Sequence, residues 1–110
     1  MTDSMEQIIP IGKEADFPAG YGREVKAGKW SLAVFRTTDG RLFALENHTP
    51  HAKGGTLSEA IVSGHYIYCP MRDLKISLET GVVQAPDTGS ARKFEVRTGS
   101  DVVAVVLPRP

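Results

Sequence analysis

The sequence predicts an all-β fold, a sandwich or barrel, with a smaller strand-and-loop subdomain inserted from about Asn47 to Gln84. Two observations predict it. Short runs rich in β-branched, aromatic and aliphatic residues recur along the chain, separated by turns that contain Gly, Pro or Asp. No segment carries the sustained apolar i, i+3, i+4, i+7 stripe of an amphipathic helix.

The elements follow in order. Gln7 to Gly12 (QIIPIG) is a short strand, and Pro10 argues for an edge or strand-end position, because proline cannot donate to a ladder. Lys13 to Gly22 holds Pro18, Gly20 and Gly22 and reads as a connection with one helical turn over Lys13–Asp16. A brief strand from Gly22 to Val25 ends at the turn Ala27-Gly28-Lys29. Trp30 to Thr37 alternates, with Trp30, Leu32, Val34 and Arg36 on one side and Ser31, Ala33, Phe35 and Thr37 on the other. Asp39-Gly40 separates that run from Arg41 to Glu46, the signal of a hairpin closed by a type I′ turn. Further strands are expected over Glu59–Ser63, Tyr66–Cys69 and Lys75–Leu78, then a turn at Glu79-Thr80-Gly81 and Val82-Val83-Gln84. Ala85 to Ser90 is a loop by composition, and Lys93–Thr98 with Val102–Leu107 forms a last hairpin through Gly99-Ser100-Asp101.

Composition narrows the partners. At 110 residues the chain is read as one domain, residues 1–110, with 41% hydrophobic and 24% charged residues in the ordinary globular range. Thirteen basic and thirteen acidic residues cancel, so no excess of positive charge argues for nucleic acid or an anionic membrane. A single cysteine forms no internal disulfide, which suits a reducing cytoplasm. The polar, acidic start over Met1–Gln7 does not resemble a signal peptide. No apolar run approaches the ~20 residues of a spanning helix. A cytoplasmic location is the expectation.

The chemistry concentrates between Thr49 and Gly81. Thr49-Pro50-His51-Ala52-Lys53-Gly54-Gly55 forms one Pro-containing loop and Cys69-Pro70-Met71-Arg72-Asp73 another, with strand-like sequence between them. This is the layout of a two-loop metal clip. Together with Phe43-Ala44-Leu45-Glu46-Asn47, Gly54-Gly55-x-Leu57-Ser58, Lys75-Ile76 and Thr80-Gly81, the order and spacing resemble the Rieske-type [2Fe–2S] ferredoxin domain over nearly the whole chain. Pro50-His51-x-Lys53-Gly54-Gly55, Ser63-Gly64-His65-Tyr66 and Gln84-Ala85-Pro86-Asp87 are similar, more narrowly, to the small-subunit family of assimilatory NAD(P)H nitrite reductases.

The resemblance implies a Rieske-like fold whose clip offers Cys-x-His in one loop and Cys-x-x-His in the other. Those four positions here are Thr49, His51, Cys69 and Arg72. A Rieske cluster holds one iron by two thiolates and the other by two imidazoles. A neutral Thr49 hydroxyl is a poor substitute for a soft thiolate. The Arg72 guanidinium stays protonated and has no lone pair to give. Each iron would lose one of its two protein ligands, so the chain is expected to bind no cluster or metal and to have no catalytic residue of its own. Lys53, Arg72, Asp73 and Lys75 gather about the two loops as a possible docking patch. By resemblance the partner is the nitrite reductase large subunit, which carries FAD, a [4Fe–4S] cluster and siroheme and reduces nitrite to ammonia. This chain would then be a non-catalytic subunit of an oxidoreductase, serving assembly or positioning. The alternative is a Rieske-type [2Fe–2S] electron-transfer ferredoxin for an oxygenase or reductase system.

Blander readings accompany each residue. Cys69 reads as a small buried apolar side chain at a strand end. His51 reads as a loop histidine bonded to backbone or to Asp73. A zinc site from His48, His51, His65 and Cys69 is the sharper alternative, but its spacing is not that of a usual zinc motif. Gly54-Gly55 lacks the Lys-Ser/Thr of a phosphate loop, and the histidines lack a hydrolytic partner in motif context.

Overall fold

Strand β3 (Trp30–Arg36) explains the architecture. Its central residues Leu32, Ala33, Val34 and Phe35 are each no more than 1% exposed, although successive side chains point to opposite faces. Both faces of this strand are covered. Leu32 and Val34 pack with Phe17, Ala44, Phe94, Val103, Val105 and Leu107. Ala33 and Phe35 pack with Phe43, Leu45, Leu57, Ile67, Ile76 and Leu78. Two apolar cores therefore share one sheet between them, and burial of each large side chain contributes about 1.5–3 kcal/mol.

The computed structural model describes residues 6–49, 55–69 and 74–108. Its strands are β1 (Glu6–Lys13), β2 (Gly22–Ala27), β3, β4 (Leu42–Glu46), β5 (Ile61–Ser63), β6 (Tyr66–Cys69), β7 (Leu74–Ser77), β8 (Lys93–Gly99) and β9 (Val102–Pro108). Six form one antiparallel sheet in the order β1-β9-β8-β4-β3-β2, and β5-β6-β7 form a second. The large sheet curls until its edge strands β1 and β2 approach one another. The first core fills the curl, and the second lies where β3 and β4 face the small sheet. The all-β expectation holds among the described residues, with a 3₁₀ turn over Glu14–Asp16 where one helical turn was expected.

Local chemistry accounts for the connections. Pro10 sits in edge strand β1, beside an irregularity between Pro10 and Gly12 in its pairing with β9. Arg36, the polar end of β3, ties the β1–β2 connection down. Its Nε donates to the Phe17 carbonyl at 2.6 Å, and its Nη2 meets Glu14 Oε1 at 2.8 Å. This ion pair is partly buried, with the arginine side chain 16% exposed, so it is less screened than a surface pair.

One turn departs from the sequence expectation. The β3–β4 hairpin forms, but not through a type I′ turn at Asp39-Gly40. Only Gly40 has positive φ, at 92°; its N–H donates to the Thr37 carbonyl at 3.0 Å, and the Thr37 N–H to the Arg41 carbonyl at 2.8 Å. That is a longer hairpin loop, a type I turn closed by a left-handed glycine. The reason lies in the Asp39 side chain, which is bonded to the Thr37 hydroxyl and to His65 from outside the hairpin. The type I′ geometry appears instead between β8 and β9, where Ser100 (φ 52°) and Asp101 (φ 68°) both adopt positive φ.

Candidate functional site

Each of the two loops is held at its base. At the first, the Asn47 N–H donates to the Ser31 carbonyl at 2.8 Å, anchoring the end of β4 to β3. The Asn47 side chain then reaches across the loop: Oδ1 accepts the N–H groups of Leu57 at 2.7 Å and Ser58 at 2.9 Å. Thr49 closes the ring beneath, its N–H donating to the Gly55 carbonyl at 2.9 Å. Asn47 is 6% and Thr49 1% exposed. Gly22 presses β2 against this base. A Cβ there would lie 2.5 Å from the Ser58 carbonyl oxygen and 2.5 Å from the Phe35 ring.

The second base is simpler. Cys69 at the end of β6 pairs with Leu74 at the start of β7, and both side chains are buried in the core shared with Phe35 and Ile67. Burial pushes the Cys69 thiol up from its ordinary pKa. Its burial agrees with the reading of Cys69 as a small core residue. Residues 50–54 and 70–73 lie outside the described residues, and with them the expectations placed on His51, Lys53, Arg72 and Asp73. Lys75, the fourth member of the expected docking patch, stands on β7 with its amine 4.4 Å from the Tyr66 ring centroid.

The remaining histidines go elsewhere. His48 is exposed, its N–H bonded to the Glu46 carbonyl at 2.7 Å. His65, in the β5–β6 turn, sits between two carboxylates. Its Nε2 is 3.0 Å from Asp39 Oδ2 and its Nδ1 3.4 Å from Glu79 Oε2. Arg41 Nη1 reaches the same Glu79 oxygen at 3.2 Å, and Lys93 Nζ donates to the Glu79 carbonyl at 2.7 Å. No group of three or more His, Cys, Asp or Glu side chains among the described residues is arranged to hold a metal ion. The Asp39–His65–Glu79–Arg41 cluster escaped sequence reasoning because its members belong to different turns; Asp39 and His65 are 26 positions apart. It pins the small sheet to the β3–β4 hairpin.

This cluster carries a pH dependence. The Thr37 hydroxyl, followed by the His65 ring, lowers the Asp39 carboxyl from 3.8 to about 2, against a weaker opposing effect of burial. A carboxyl whose pKa is depressed by folding contributes stability above its unfolded value and loses it as pH falls through the folded value. Asp39 therefore supports the fold above pH 3.8, and that support fades as the pH falls to about 2. Urea unfolding followed from pH 5 to pH 2 should show a shallower acid loss in Asp39→Asn than in the wild type. Parallel curves would remove Asp39 from the account.

Two surface clefts are formed by described residues about β8. One is lined by Leu42, Phe43, Lys93, Phe94, Glu95 and Val96, where β8 parts from β4 after pairing at Ala44–Phe94 and Leu45–Lys93. A second, on the other side of β8, adds Glu6, Arg92, Val106 and Pro108. Neither includes Thr49 or Cys69.

The family model for Rieske-like [2Fe-2S] domains matches residues 7–106. The chain belongs to that family.

A solved chain described as the small subunit of an NADH-dependent nitrite reductase from Mycobacterium tuberculosis shares the fold. It is 20% identical, with a TM-score of 0.83, covering 93% of this chain and 96% of that one. A chain from the complex of reduced oxygenase and oxidized ferredoxin in carbazole 1,9a-dioxygenase is 29% identical, with a TM-score of 0.74, covering 88% and 99%. Among curated proteins, the oxygenase component of a 3-ketosteroid-9-alpha-monooxygenase from Rhodococcus rhodochrous is 38% identical over 63 residues. That match takes in 57% of this Rieske-like chain and spans only 16% of the monooxygenase component. No helix among the described residues is long and apolar enough to cross a membrane.

The family name implies a [2Fe–2S] cluster, and the donor set can be tested against it. Of the four side chains that the resemblance places at the clip, one is a thiol and one an imidazole; the others are a hydroxyl and a guanidinium. Thr49 is 1% exposed and its N–H bonds the Gly55 carbonyl, so a buried residue with a neutral hydroxyl stands where the resemblance calls for a thiolate. These residues do not fit the cluster.

Proposed function

We propose that this chain is a small, cofactor-free docking subunit of an assimilatory NAD(P)H nitrite reductase. In this reading it works inside the cytoplasm as one domain, with 47–84 as its loop-bearing part. It binds the large subunit, which carries FAD, [4Fe–4S] and siroheme, and contributes assembly or positioning while the bond-making chemistry of nitrite reduction to ammonia proceeds on the partner. The observation that carries the reading is the donor set itself: Thr49 and Arg72 stand where a cluster needs a thiolate and an imidazole. The fold shared with a nitrite reductase small subunit supports it.

A second reading has its own support. The likeness to a chain of the carbazole dioxygenase complex favours an electron-transfer ferredoxin, which demands a bound cluster. One measurement separates the two. Protein purified without oxygen and assayed for iron and acid-labile sulfide should contain neither in stoichiometric amount and show no visible absorbance. About two irons per chain, the content of a [2Fe–2S] centre, would overturn the docking-subunit reading in favour of the ferredoxin.

A further inference from the structure

The small sheet has a buried face and a bare one. Ile67, Cys69, Ile76 and Val83 point inward and are each no more than 7% exposed. The opposite face is set by register: Ile61, Tyr68 and Lys75 stand side by side across β5, β6 and β7, with Tyr66 in the next row. Val82 extends that second row, since the Ser77 N–H donates to the Val82 carbonyl at 3.0 Å beside the Ile76–Val83 bridge. Ile61 is 57%, Tyr68 41% and Val82 47% exposed. Half of the six large apolar side chains exposed among the described residues thus lie on this one face. Single exposed apolar residues are ordinary, but a contiguous group marks a contact surface.

Its charge says what covers it. The Lys75 amine lies 4.4 Å from the Tyr66 ring centroid and 5.6 Å from that of Tyr68, held among the aromatics by attraction to their faces. Neither row contains an acidic residue. We infer that this face docks a partner protein whose surface presents a carboxylate flanked by apolar side chains. The carboxylate would accept from Lys75, and the apolar groups would cover Ile61, Tyr68 and Val82. A second copy of this chain fits less well, because neither described row offers an acid to the other copy's Lys75. The arrangement is that of an interface centre, with tyrosine anchors around one desolvated charge.

The inference rests on the docking-subunit reading and locates the contact on the outer face of the small sheet. Its test is titration of the purified chain and its variants against the nitrite reductase large subunit of the same organism. Tyr68→Ala should weaken binding by about 30-fold, the effect of losing an interface anchor. Lys75→Met should weaken it by about 5-fold and abolish most of its salt dependence, since the charge and not the stem is removed. Ile61→Ser supplies an independent variant, Lys26→Glu on β2 is the control, and circular dichroism confirms folding. Wild-type binding that the three face variants leave within twofold overturns the inference alone, with the docking reading intact. No binding by the wild type overturns both. Self-association that Tyr68→Ala abolishes assigns the face to a second copy and overturns the carboxylate partner.

Discussion

Phe35→Ala should lower the stability of this domain by about 4 kcal/mol, within the range for truncating a buried aromatic side chain. Phe35 is fully buried and belongs to the core that joins β3 and β4 to the small sheet, with Phe43, Leu57, Ile67 and Ile76. On one side a glycine, Gly22, already leaves no room for a Cβ, so the neighbours have little freedom to collapse into the void. In a domain of this size that loss corresponds to a fall in Tm of about 15–30 °C. Ile8→Ala, at a position 55% exposed on edge strand β1, should stay within about 0.5 kcal/mol. Urea or thermal unfolding of both variants provides the check. A Phe35→Ala loss no larger than that of Ile8→Ala would mean that the two sheets do not share a tightly packed core.

Gly81→Ala should cost about 3 kcal/mol, from two separate causes. Gly81 has φ +79°, where an L side chain costs about 1–2 kcal/mol. A Cβ there would also lie 2.3 Å from the Ala91 carbonyl oxygen, and relieving such an overlap costs about 1–3 kcal/mol. The backbone cannot step aside easily. The Gly81 N–H donates to the Ser77 carbonyl at 2.7 Å, and the Gly81 carbonyl accepts the Ala91 N–H at 2.7 Å. Gly64→Ala separates the causes: φ is +59° in the β5–β6 turn, with nothing within 4 Å of a built Cβ. That variant should lose only the conformational part, about 1 kcal/mol. Equal losses in the two variants would show that the approach of Ala91 to Gly81 contributes nothing.

Much of this molecule was legible in residue order because its determinants are local. Alternation over Trp30–Arg36, proline in an edge strand and glycine at hairpin turns each act within a few residues, and the strands form close to where those signals place them. The turn at Asp39-Gly40 failed for the opposite reason. A type I′ geometry was expected from the dipeptide alone, but Asp39 is engaged by Thr37 and by His65 from the small sheet. Ser100 and Asp101 take that geometry without the usual glycine. Nothing local announced it; it follows from the pairing of β8 with β9, which continues to Gly99–Val102.

The candidate site divides the same way. From the sequence by itself come the two Pro-containing loops, the reading of Cys69 as a core side chain and, through the resemblance to the Rieske clip, the hydroxyl of Thr49 and the guanidinium of Arg72 at positions where that clip has ligands. Only the tertiary structure decided that β3 is buried on both faces, that Asn47 holds the base of the first loop through Leu57 and Ser58, and that His65 is drawn to Asp39 and Glu79. It also decided that Ile61, Tyr68 and Lys75 stand in one exposed row. Periodicity assigns a residue to one of two faces of its strand. Which face meets a second sheet, and which is left bare, depends on chain segments tens of residues away coming to rest against it.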